Sequence, residues 1–330
     1  MEEGCTARHA ALERRSFLLA TGGLMTALGA GRAGAQPRLP AGPLDAWNAA
    51  PMIPLWAGAA PNGGFRPQAP AEGAPPIFLR NVEHPFMRVF RPKKPNGRSL
   101  LAIPGGAYTF VSIANEGVDV ANDMTARGYT VFVLVYRLPG EGWGKREDVP
   151  LQDAQRAVRL IRAHSSEYGC NPEQIYTVGF SAGGHLAASL ETGFDEKVYD
   201  LRDAADTLSA RPRAAGLIYP VISQTEGIGH AESTLRLLGP NPSMLSIVRR
   251  SPDLHVSEAT PPTFIVHAMD DPAVPLENSL LMMGALRGAR RPVEAHFFER
   301  GGHGFGTGRR GQPNGEWLNL FANWMEIHAS

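Results

Sequence analysis

Apolar residues along most of the chain follow two alternating patterns. Short, nearly continuous apolar runs predict buried strands at residues 86–90, 100–103, 130–136, 175–178, 214–219, 263–268 and 293–298. Apolar residues at intervals of three and four predict helices at residues 115–127, 151–168, 231–238, 243–249, 275–286 and 316–327, with another after residue 183. This alternation predicts a single α/β domain, with a doubly wound, mostly parallel sheet and helices on both faces.

Two segments depart from this alternation. Residues 36–76 are rich in Pro, Ala and Gly and predict an irregular N-terminal arm before the domain, which we assign to residues 77–330. Residues 223–258 are long for a connection between two strands. We interpret this second segment as a lid or a pocket wall, with a solvated surface excursion as the alternative.

The N-terminal residues 1–35 predict an export signal. Arg14-Arg15 precede an apolar stretch rich in Gly and Ala, and Ala33-Gly34-Ala35 is typical of a cleavage site. The pair of arginines favours twin-arginine export over a Sec signal or an uncleaved anchor. The apolar stretch is too short for a stable membrane span. We therefore expect a periplasmic or secreted protein, cleaved after Ala35.

Composition narrows the function classes. The chain has 330 residues, 32 of them basic and 32 acidic, and 43% are hydrophobic. There is no basic excess and no zinc-like Cys/His spacing, so neither a nucleic-acid partner nor a metal is expected. Signal removal would leave Cys170 as the single cysteine, and its helix-ending turn predicts a packed residue rather than a nucleophile.

Residues 175–190 carry the strongest chemical signal. An apolar strand enters a turn with Ser181 at its apex and with Gly179 and Gly183 on either side, and a helical pattern follows. This strand–turn–helix context identifies a nucleophile elbow. The glycines are expected because a tight turn leaves no room for side chains two residues before and after the serine.

A serine hydroxyl needs a base and an orienting carboxylate to become a nucleophile. In doubly wound hydrolases these follow the serine in the order acid, then histidine. Asp270 and Asp271 follow a predicted strand, and His303 lies in a glycine-rich loop after the last one. Both aspartates stay candidates for the acid, and a plain turn carboxylate is the alternative for Asp271. We interpret His185, which follows Ser181 on the same helix, as a structural or pocket residue.

The turn 103–108 is a candidate oxyanion hole. It reads I-P-G-G-A-Y directly after a predicted strand, so its main-chain N–H groups can face the nucleophile. The predicted donors are the N–H groups of Gly106 or Ala107, together with that of Ala182. A plain turn before the next helix is the alternative.

Together these motifs resemble one family. The chain is similar to bacterial acetylxylan-esterase-like α/β-hydrolases, relatives of feruloyl and hormone-sensitive-lipase-like esterases, over residues 55–306. The resemblance rests on P-G-G-A-Y, E-G at Glu116-Gly117, Y-R-L-P, P-L-Q-D-A-Q-R-A, G-F-S-A-G-G-H-L-A and the closing P-P-T-F…D-D…V-P…G-G-H-G-F-G. Many relatives have a third glycine at position 107, and others have histidine at position 104.

The resemblance implies an α/β-hydrolase fold and ester hydrolysis through an acyl-enzyme, without a metal or organic cofactor. The family pattern H-G-x-x-D-x-x-V-P favours Asp271 as the acid, with His267 as a structural residue at the strand end. The predicted catalytic residues are therefore Ser181, Asp271 and His303.

The predicted function is hydrolysis of short-chain esters, above all O-acetyl groups on xylan-type oligosaccharides. A small-molecule or oligosaccharide ester is thus the expected partner. The alternatives are a generic carboxylesterase or lipase, a prolyl-oligopeptidase-like peptidase, and a catalytically dead hydrolase fold used for binding. No opposed carboxylate pair indicates a glycosidase. Trp143 and Tyr108 are candidates for a sugar platform, with core or surface packing as the alternative.

Overall fold

The central strands of the sheet are buried along their whole length. In the computed structural model, which describes residues 42–69 and 72–329, every residue of five strands of the large sheet is buried, as expected for strands covered on both faces. The strands are β1 Met52–Pro54, β2 Phe78–Leu79, β3 Phe86–Phe90, β4 Ser99–Ile103, β5 Val111–Ser112, β6 Thr130–Val135, β7 Ile175–Phe180, β8 Ala214–Ile218, β9 Thr263–Ala268 and β10 Val293–Phe298.

Eight of these strands form one sheet in the order β1-β3-β6-β4-β7-β8-β9-β10. The strands β1, β3 and β6 pair antiparallel at one side, and all pairs from β6 to β10 are parallel. The small strands β2 and β5 pair with each other. The sheet is thus mostly parallel, as predicted.

The helices cover both faces because the direction of winding reverses within the sheet. They are α1 Pro43–Ala49, α2 Asp119–Ala126, α3 Val149–Ala163, α4 Ala182–Thr192, α5 Ala231–Leu238, α6 Met244–Arg249, α7 Glu277–Gly288 and α8 Trp317–Ile327. The chain moves one way from β4 to β6 and the other way from β6 to β7. Right-handed crossovers then put α2 on one face and α3, α4 and α7 on the other. The predicted doubly wound α/β-hydrolase fold is confirmed.

The N-terminal arm is more regular than its composition predicts. Pro43 begins α1, and β1 adds an antiparallel edge strand to β3. Trp47 and Trp56 are buried, and Trp56 Nε1 donates a hydrogen bond to Asp153 at 2.9 Å. Burial of these large rings explains why a Pro- and Gly-rich segment adopts regular structure. The expectation of an irregular arm is therefore wrong for residues 43–54.

Two predicted helices also differ in detail. The helix predicted at residues 115–127 begins with one π-helical turn, Ala114–Val118, and continues as α2. The helix predicted at residues 151–168 ends at Ala163 and is followed by a separate 3₁₀ turn, Ser165–Tyr168. A π-helical turn inserts an extra residue into the helix, and such turns are frequent at functional sites.

The export signal predicted at residues 1–35 and its cleavage site lie outside the described residues and stay predictions. Within 42–69 and 72–329, no helix is both long and apolar enough to cross a bilayer.

Cys170 is buried and forms no disulfide, which confirms the prediction of a packed residue.

Candidate active site

The elbow serine lies between β7 and α4 in a strained backbone conformation. Ser181 has φ 53° and ψ −119°, a region that L-residues rarely adopt. A Cβ on Gly179 would overlap the backbone of Gly183, and a Cβ on Gly183 would overlap that of Ile103. The two glycines therefore permit the turn, as predicted. The turn directs the Ser181 side chain away from the sheet and toward the loop after β10.

Ser181 and His303 are in direct hydrogen-bond contact, and His303 also contacts Asp271. The distance from His303 Nε2 to Ser181 Oγ is 2.9 Å, and that from His303 Nδ1 to Asp271 Oδ2 is 2.7 Å. A carboxylate can only accept, so Nδ1 carries the proton and Nε2 accepts from the serine hydroxyl. The structure therefore brings the three predicted catalytic residues together in the order that general-base activation of a serine requires.

The two neighbouring aspartates have different partners. Asp271 Oδ2 accepts from His303, whereas Asp270 Oδ1 accepts from the N–H groups of Gly301 and Gly302, at 2.8 Å each. Asp270 therefore holds the backbone of the loop that carries the histidine, and Asp271 holds its ring. The geometry agrees with the preference for Asp271 as the acid.

A buried histidine holds the acid in place. His267 lies in β9, with Nδ1 at 2.8 Å from Ser279 Oγ and Nε2 at 3.2 Å from Asp271 Oδ2. Burial alone would raise the pKa of Asp271, but hydrogen bonds from His267, His303 and the Val274 N–H keep that pKa well below its usual range. The Asp271 carboxyl is therefore an anion at neutral pH. His267 lies at the strand end, as predicted, and its contact with the acid is an additional finding.

The glycine-rich turn leaves main-chain N–H groups free beside the nucleophile. Gly106, Ala107 and Tyr108 all have positive φ, at 128°, 54° and 58°. Among the hydrogen bonds of residues 42–69 and 72–329, none uses the N–H of Gly106, Ala107 or Ala182. Ala182 begins α4, where the first N–H groups of a helix have no partner within the helix. These are the three predicted oxyanion donors, and Ala107 adopts the positive φ despite its Cβ.

A cavity of about 310 Å³ opens beside Ser181 and His303. Phe78 and Phe110 form an apolar wall, with ring centroids 4.3 Å apart. Gly106 and Ala107 also line the cavity, and the segment 223–258 contributes His230 to its wall. Trp143 and Tyr108 do not line it. Both side chains are buried, which supports core packing and not a role in a sugar platform.

Comparison with known proteins assigns the chain to a family. The BD-FAE family model matches residues 87–286, more than half of the chain. The chain belongs to the BD-FAE family. Its relatives and its fold also confirm the predicted resemblance to acetylxylan-esterase-like α/β-hydrolases.

Two curated proteins illustrate the sequence similarity of this chain to known enzymes. The acetylxylan esterase of Xylanibacter ruminicola is 31% identical over 245 residues, covering 73% of this chain and 48% of that protein. The endo-1,4-beta-xylanase B of Butyrivibrio fibrisolvens is 38% identical over 205 residues, covering 62% and 32%. This chain therefore spans half or less of each of these two relatives.

The third relative is a solved structure. The acetyl ester-xyloside bifunctional hydrolase from Caldicellulosiruptor lactoaceticus is 35% identical, with a TM-score of 0.72. The match covers 84% of this chain and 96% of that one.

In this BD-FAE member a buried carboxyl group connects two segments of the site. One is the turn 103–108, which we call the oxyanion turn, and the other is the glycine-rich loop 301–306 around His303, which we call the histidine loop. Glu116, in the π-helical turn, accepts the Gly105 N–H at 2.7 Å through Oε2 and the Tyr219 hydroxyl at 2.8 Å through Oε1. The Tyr219 oxygen in turn accepts the Gly306 N–H at 3.0 Å. Burial raises the pKa of Glu116, and the two donated hydrogen bonds oppose that rise. We call Glu116 and Tyr219 the carboxyl clamp.

A second buried contact anchors the oxyanion turn to the elbow helix. The Tyr108 hydroxyl lies 2.7 Å from His185 Nδ1, and His185 Nε2 lies 2.8 Å from the Arg250 carbonyl. A carbonyl only accepts, so Nε2 carries the proton and Nδ1 accepts from Tyr108. Burial lowers the pKa of His185 to about 4. His185 is thus a neutral structural residue, consistent with its interpretation from the sequence.

Two residues that line the cavity have no catalytic signal of their own in the sequence. Glu116 occurs in a family-like E-G pair, but no spacing connects it to Gly105 or Tyr219. His230 lies within the long connection between β8 and β9 and follows no motif. Within residues 42–69 and 72–329, no cluster of three His, Cys, Asp or Glu side chains is arranged to hold a metal ion.

Proposed function

We propose that this chain is a serine esterase that removes O-acetyl groups from xylan-type oligosaccharides. The observation that carries the proposal is the chain of hydrogen bonds from Asp271 through His303 to Ser181, which lines a cavity with free main-chain N–H groups. The acetyl and xylan parts rest on the names of the acetylxylan esterase and the acetyl ester-xyloside hydrolase relatives.

The first half of the reaction forms an acyl-enzyme. Ser181 Oγ attacks the ester carbonyl carbon while His303 Nε2 takes the hydroxyl proton, and the Asp271 anion stabilises the imidazolium that results. The N–H groups of Gly106, Ala107 and Ala182 donate to the oxyanion of the tetrahedral intermediate. His303 then returns its proton to the alcohol oxygen as the C–O bond breaks, which leaves an acetyl group on Ser181.

The second half repeats these steps with water. His303 takes a proton from a water molecule as it attacks the acetyl carbon, and the same N–H groups stabilise the second oxyanion. The proton then returns to Ser181 Oγ as acetate leaves, which restores the starting state.

The cavity supports a short acyl group. Its volume of about 310 Å³ is at the lower end of the range for small-molecule sites, roughly 300–1,000 Å³. The wall formed by Phe78 and Phe110 suits a methyl group better than a polar one. We therefore expect acetyl esters to react faster than butyryl or feruloyl esters of the same alcohol.

The same cavity favours ester over glycoside hydrolysis. Retaining glycosidases need two carboxyl groups about 5–5.5 Å apart on either side of the bond. Among the described residues that line the cavity, Glu116 is the only carboxylate, and its two oxygens are occupied by Gly105 and Tyr219. Release of reducing sugar from deacetylated xylan would contradict this assignment.

The decisive experiment replaces the nucleophile. Ser181→Ala should lower the rate of acetate release from acetylated xylo-oligosaccharides by about 10⁴-fold or more and abolish labelling by a fluorophosphonate probe. Ser189→Ala is the matched control, because Ser189 lies on α4, the helix that directly follows Ser181, but does not line the cavity. Wild-type rates in the Ser181→Ala variant would contradict the mechanism. Wild-type protein that carries the label but releases no acetate would contradict the substrate.

A further inference from the structure

His230 is the N-cap residue of α5 and also lines the catalytic cavity. Its Nδ1 accepts the Ser233 N–H at 3.3 Å and lies 2.9 Å from the Ser233 hydroxyl oxygen. A histidine is an unusual choice for this position, where Ser, Thr, Asp and Asn are preferred. The helix cap therefore uses one edge of the imidazole and leaves the other edge for the cavity.

The cap also decides where the imidazole proton is. Because Nδ1 accepts from a main-chain N–H, the neutral ring carries its proton on Nε2. Burial and the nearby His303 lower the pKa of His230, so the ring is neutral at neutral pH. No hydrogen bond from this Nε2–H is formed with any residue of 42–69 and 72–329. His230 therefore presents an unused hydrogen-bond donor at the cavity.

The surroundings of His230 indicate which part of a substrate it would meet. His303 gives its proton to the leaving oxygen, so the alcohol part must lie next to His303. Both His303 and Asp271 influence the pKa of His230 through their charges, and Ala273, two residues after the acid, lines the same cavity. The apolar wall of Phe78 and Phe110 is the part of the cavity suited to the acyl methyl group.

The position of α5 is also fixed relative to the oxyanion turn. Thr109 Oγ1 donates to Glu232 Oε1 at 3.1 Å, and the same carboxylate oxygen accepts from Arg236 Nε at 2.7 Å. The first turn of α5 is thus bound to the segment that carries the oxyanion donors. A donor held in this way has little freedom to lose when a substrate binds, which favours a specific contact.

We propose that His230 binds the alcohol part of the ester, with Nε2–H donating a hydrogen bond to a hydroxyl next to the ester oxygen, as on a sugar ring. The inference rests on the proposed function and adds a specificity-determining residue to it. A polyol ester is then distinguished from a simple alkyl ester by a single hydroxyl group.

Two acetates that differ only in this hydroxyl test the proposal: trans-2-acetoxycyclohexanol and cyclohexyl acetate. The wild-type kcat/KM should be about 3- to 10-fold higher for the hydroxylated ester, the range expected for one hydrogen bond. His230→Asn and His230→Ser both keep a preferred N-cap residue but are too short to offer a donor at the cavity. In both variants the ratio of the two kcat/KM values should fall to near one. His164→Asn, at an exposed histidine away from the cavity, should keep the wild-type ratio.

The outcomes separate the two proposals. An unchanged ratio in both His230 variants, with wild-type fluorophosphonate labelling, would overturn the role of His230 and leave the esterase proposal intact. Equal wild-type rates on the two acetates would have the same meaning. A wild-type protein that hydrolyses neither ester would instead overturn the proposed function, and the role of His230 with it. A ratio that falls in both His230 variants but not in His164→Asn would support the proposal.

Discussion

The two sides of the candidate site are held by different kinds of contact. On the acid–base side, which contains Asp271 and His303, the buried His267 holds the acid. The histidine loop on this side is held by an exposed carboxylate, Asp270, which accepts two main-chain N–H groups. On the oxyanion side, which contains Gly106, Ala107 and Ala182, the supporting side chains are the carboxyl clamp and the pair Tyr108 and His185. All four of these supporting residues are buried.

This difference matches what each side has to do in the proposed reaction. A proton moves to and from His303, so the acid–base side needs an accessible ring with a permanent anion behind it. The oxyanion side transfers no proton, and it works by presenting fixed dipoles to a charge that develops during the reaction. Buried partners restrict the turn more tightly than exposed ones, since water cannot replace them. Changes on the acid–base side should therefore act on proton transfer, and changes on the oxyanion side on turn geometry.

The largest expected effect distinguishes the two aspartates. Asp271→Asn should lower kcat by about 10⁴-fold, because an amide cannot stabilise the imidazolium or impose the same tautomer. Asp270→Ala should lower kcat by about tenfold or less, since water can replace its contacts with Gly301 and Gly302. Steady-state kinetics on an acetyl ester measure both. The reverse ranking would make Asp270 the acid.

The next effect concerns the oxyanion turn. A Cβ on Gly106 would overlap the backbone and ring of Phe110, at a φ of 128° that L-residues rarely adopt. Gly106→Ala should therefore displace the N–H groups and lower kcat by about 100- to 1,000-fold, the usual cost of one oxyanion donor. Ala107→Gly is the matched control, because glycine adopts the positive φ there without strain. A Gly106→Ala variant with wild-type kcat would show that the turn is not an oxyanion hole.

Substitutions in the carboxyl clamp should lower the rate less than Gly106→Ala does, and they should also lower the stability of the fold. In Glu116→Gln only one side-chain oxygen can accept, so either Gly105 or Tyr219 loses its partner. We expect kcat of this variant to fall by about tenfold with little change in KM.

Tyr219→Phe should lower the free energy of unfolding by about 1–3 kcal/mol, because Glu116 then keeps a buried oxygen without a donor. Tyr176→Phe, in the first half of β7, is the control for losing a tyrosine hydroxyl. In Glu116→Gln, a change in KM with kcat unchanged would contradict a positioning role.

The smallest expected effect comes from His185. It concerns the free energy of unfolding, and it depends on pH. Its pKa is about 4 in the folded protein and about 6.5 when unfolded, so between these values only the unfolded chain takes up the proton. The contribution of His185 to stability is therefore complete above pH 6.5 and is lost as the pH falls toward 4.

Urea unfolding can measure this contribution. Between pH 7 and pH 5 the wild type should lose about 2 kcal/mol more than His185→Gln. Equal losses would mean that His185 is not held neutral by burial.

Much of this protein is determined by local sequence. The apolar runs are long enough to identify the buried strands, and their alternation with helices leaves a doubly wound sheet as the compatible architecture. The order of Ser181, Asp271 and His303, with glycines at tight turns, predicts these three as the catalytic residues because each follows a strand at the same edge of the sheet. These signals depend on neighbours in the chain, which is why they can be recognised without the fold.

Tertiary structure alone decided the rest, because the contacts join residues far apart in sequence. Glu116 meets Tyr219 across 103 positions, and the two aspartates acquire different partners only when the loop after β10 folds back onto β9. The π-helical turn at Ala114–Val118 and the ordered helix Pro43–Ala49 likewise depend on what they pack against, and composition does not record those partners. Periodicity identifies elements and their order, whereas the direction in which a buried polar side chain points is determined by the partners that satisfy it.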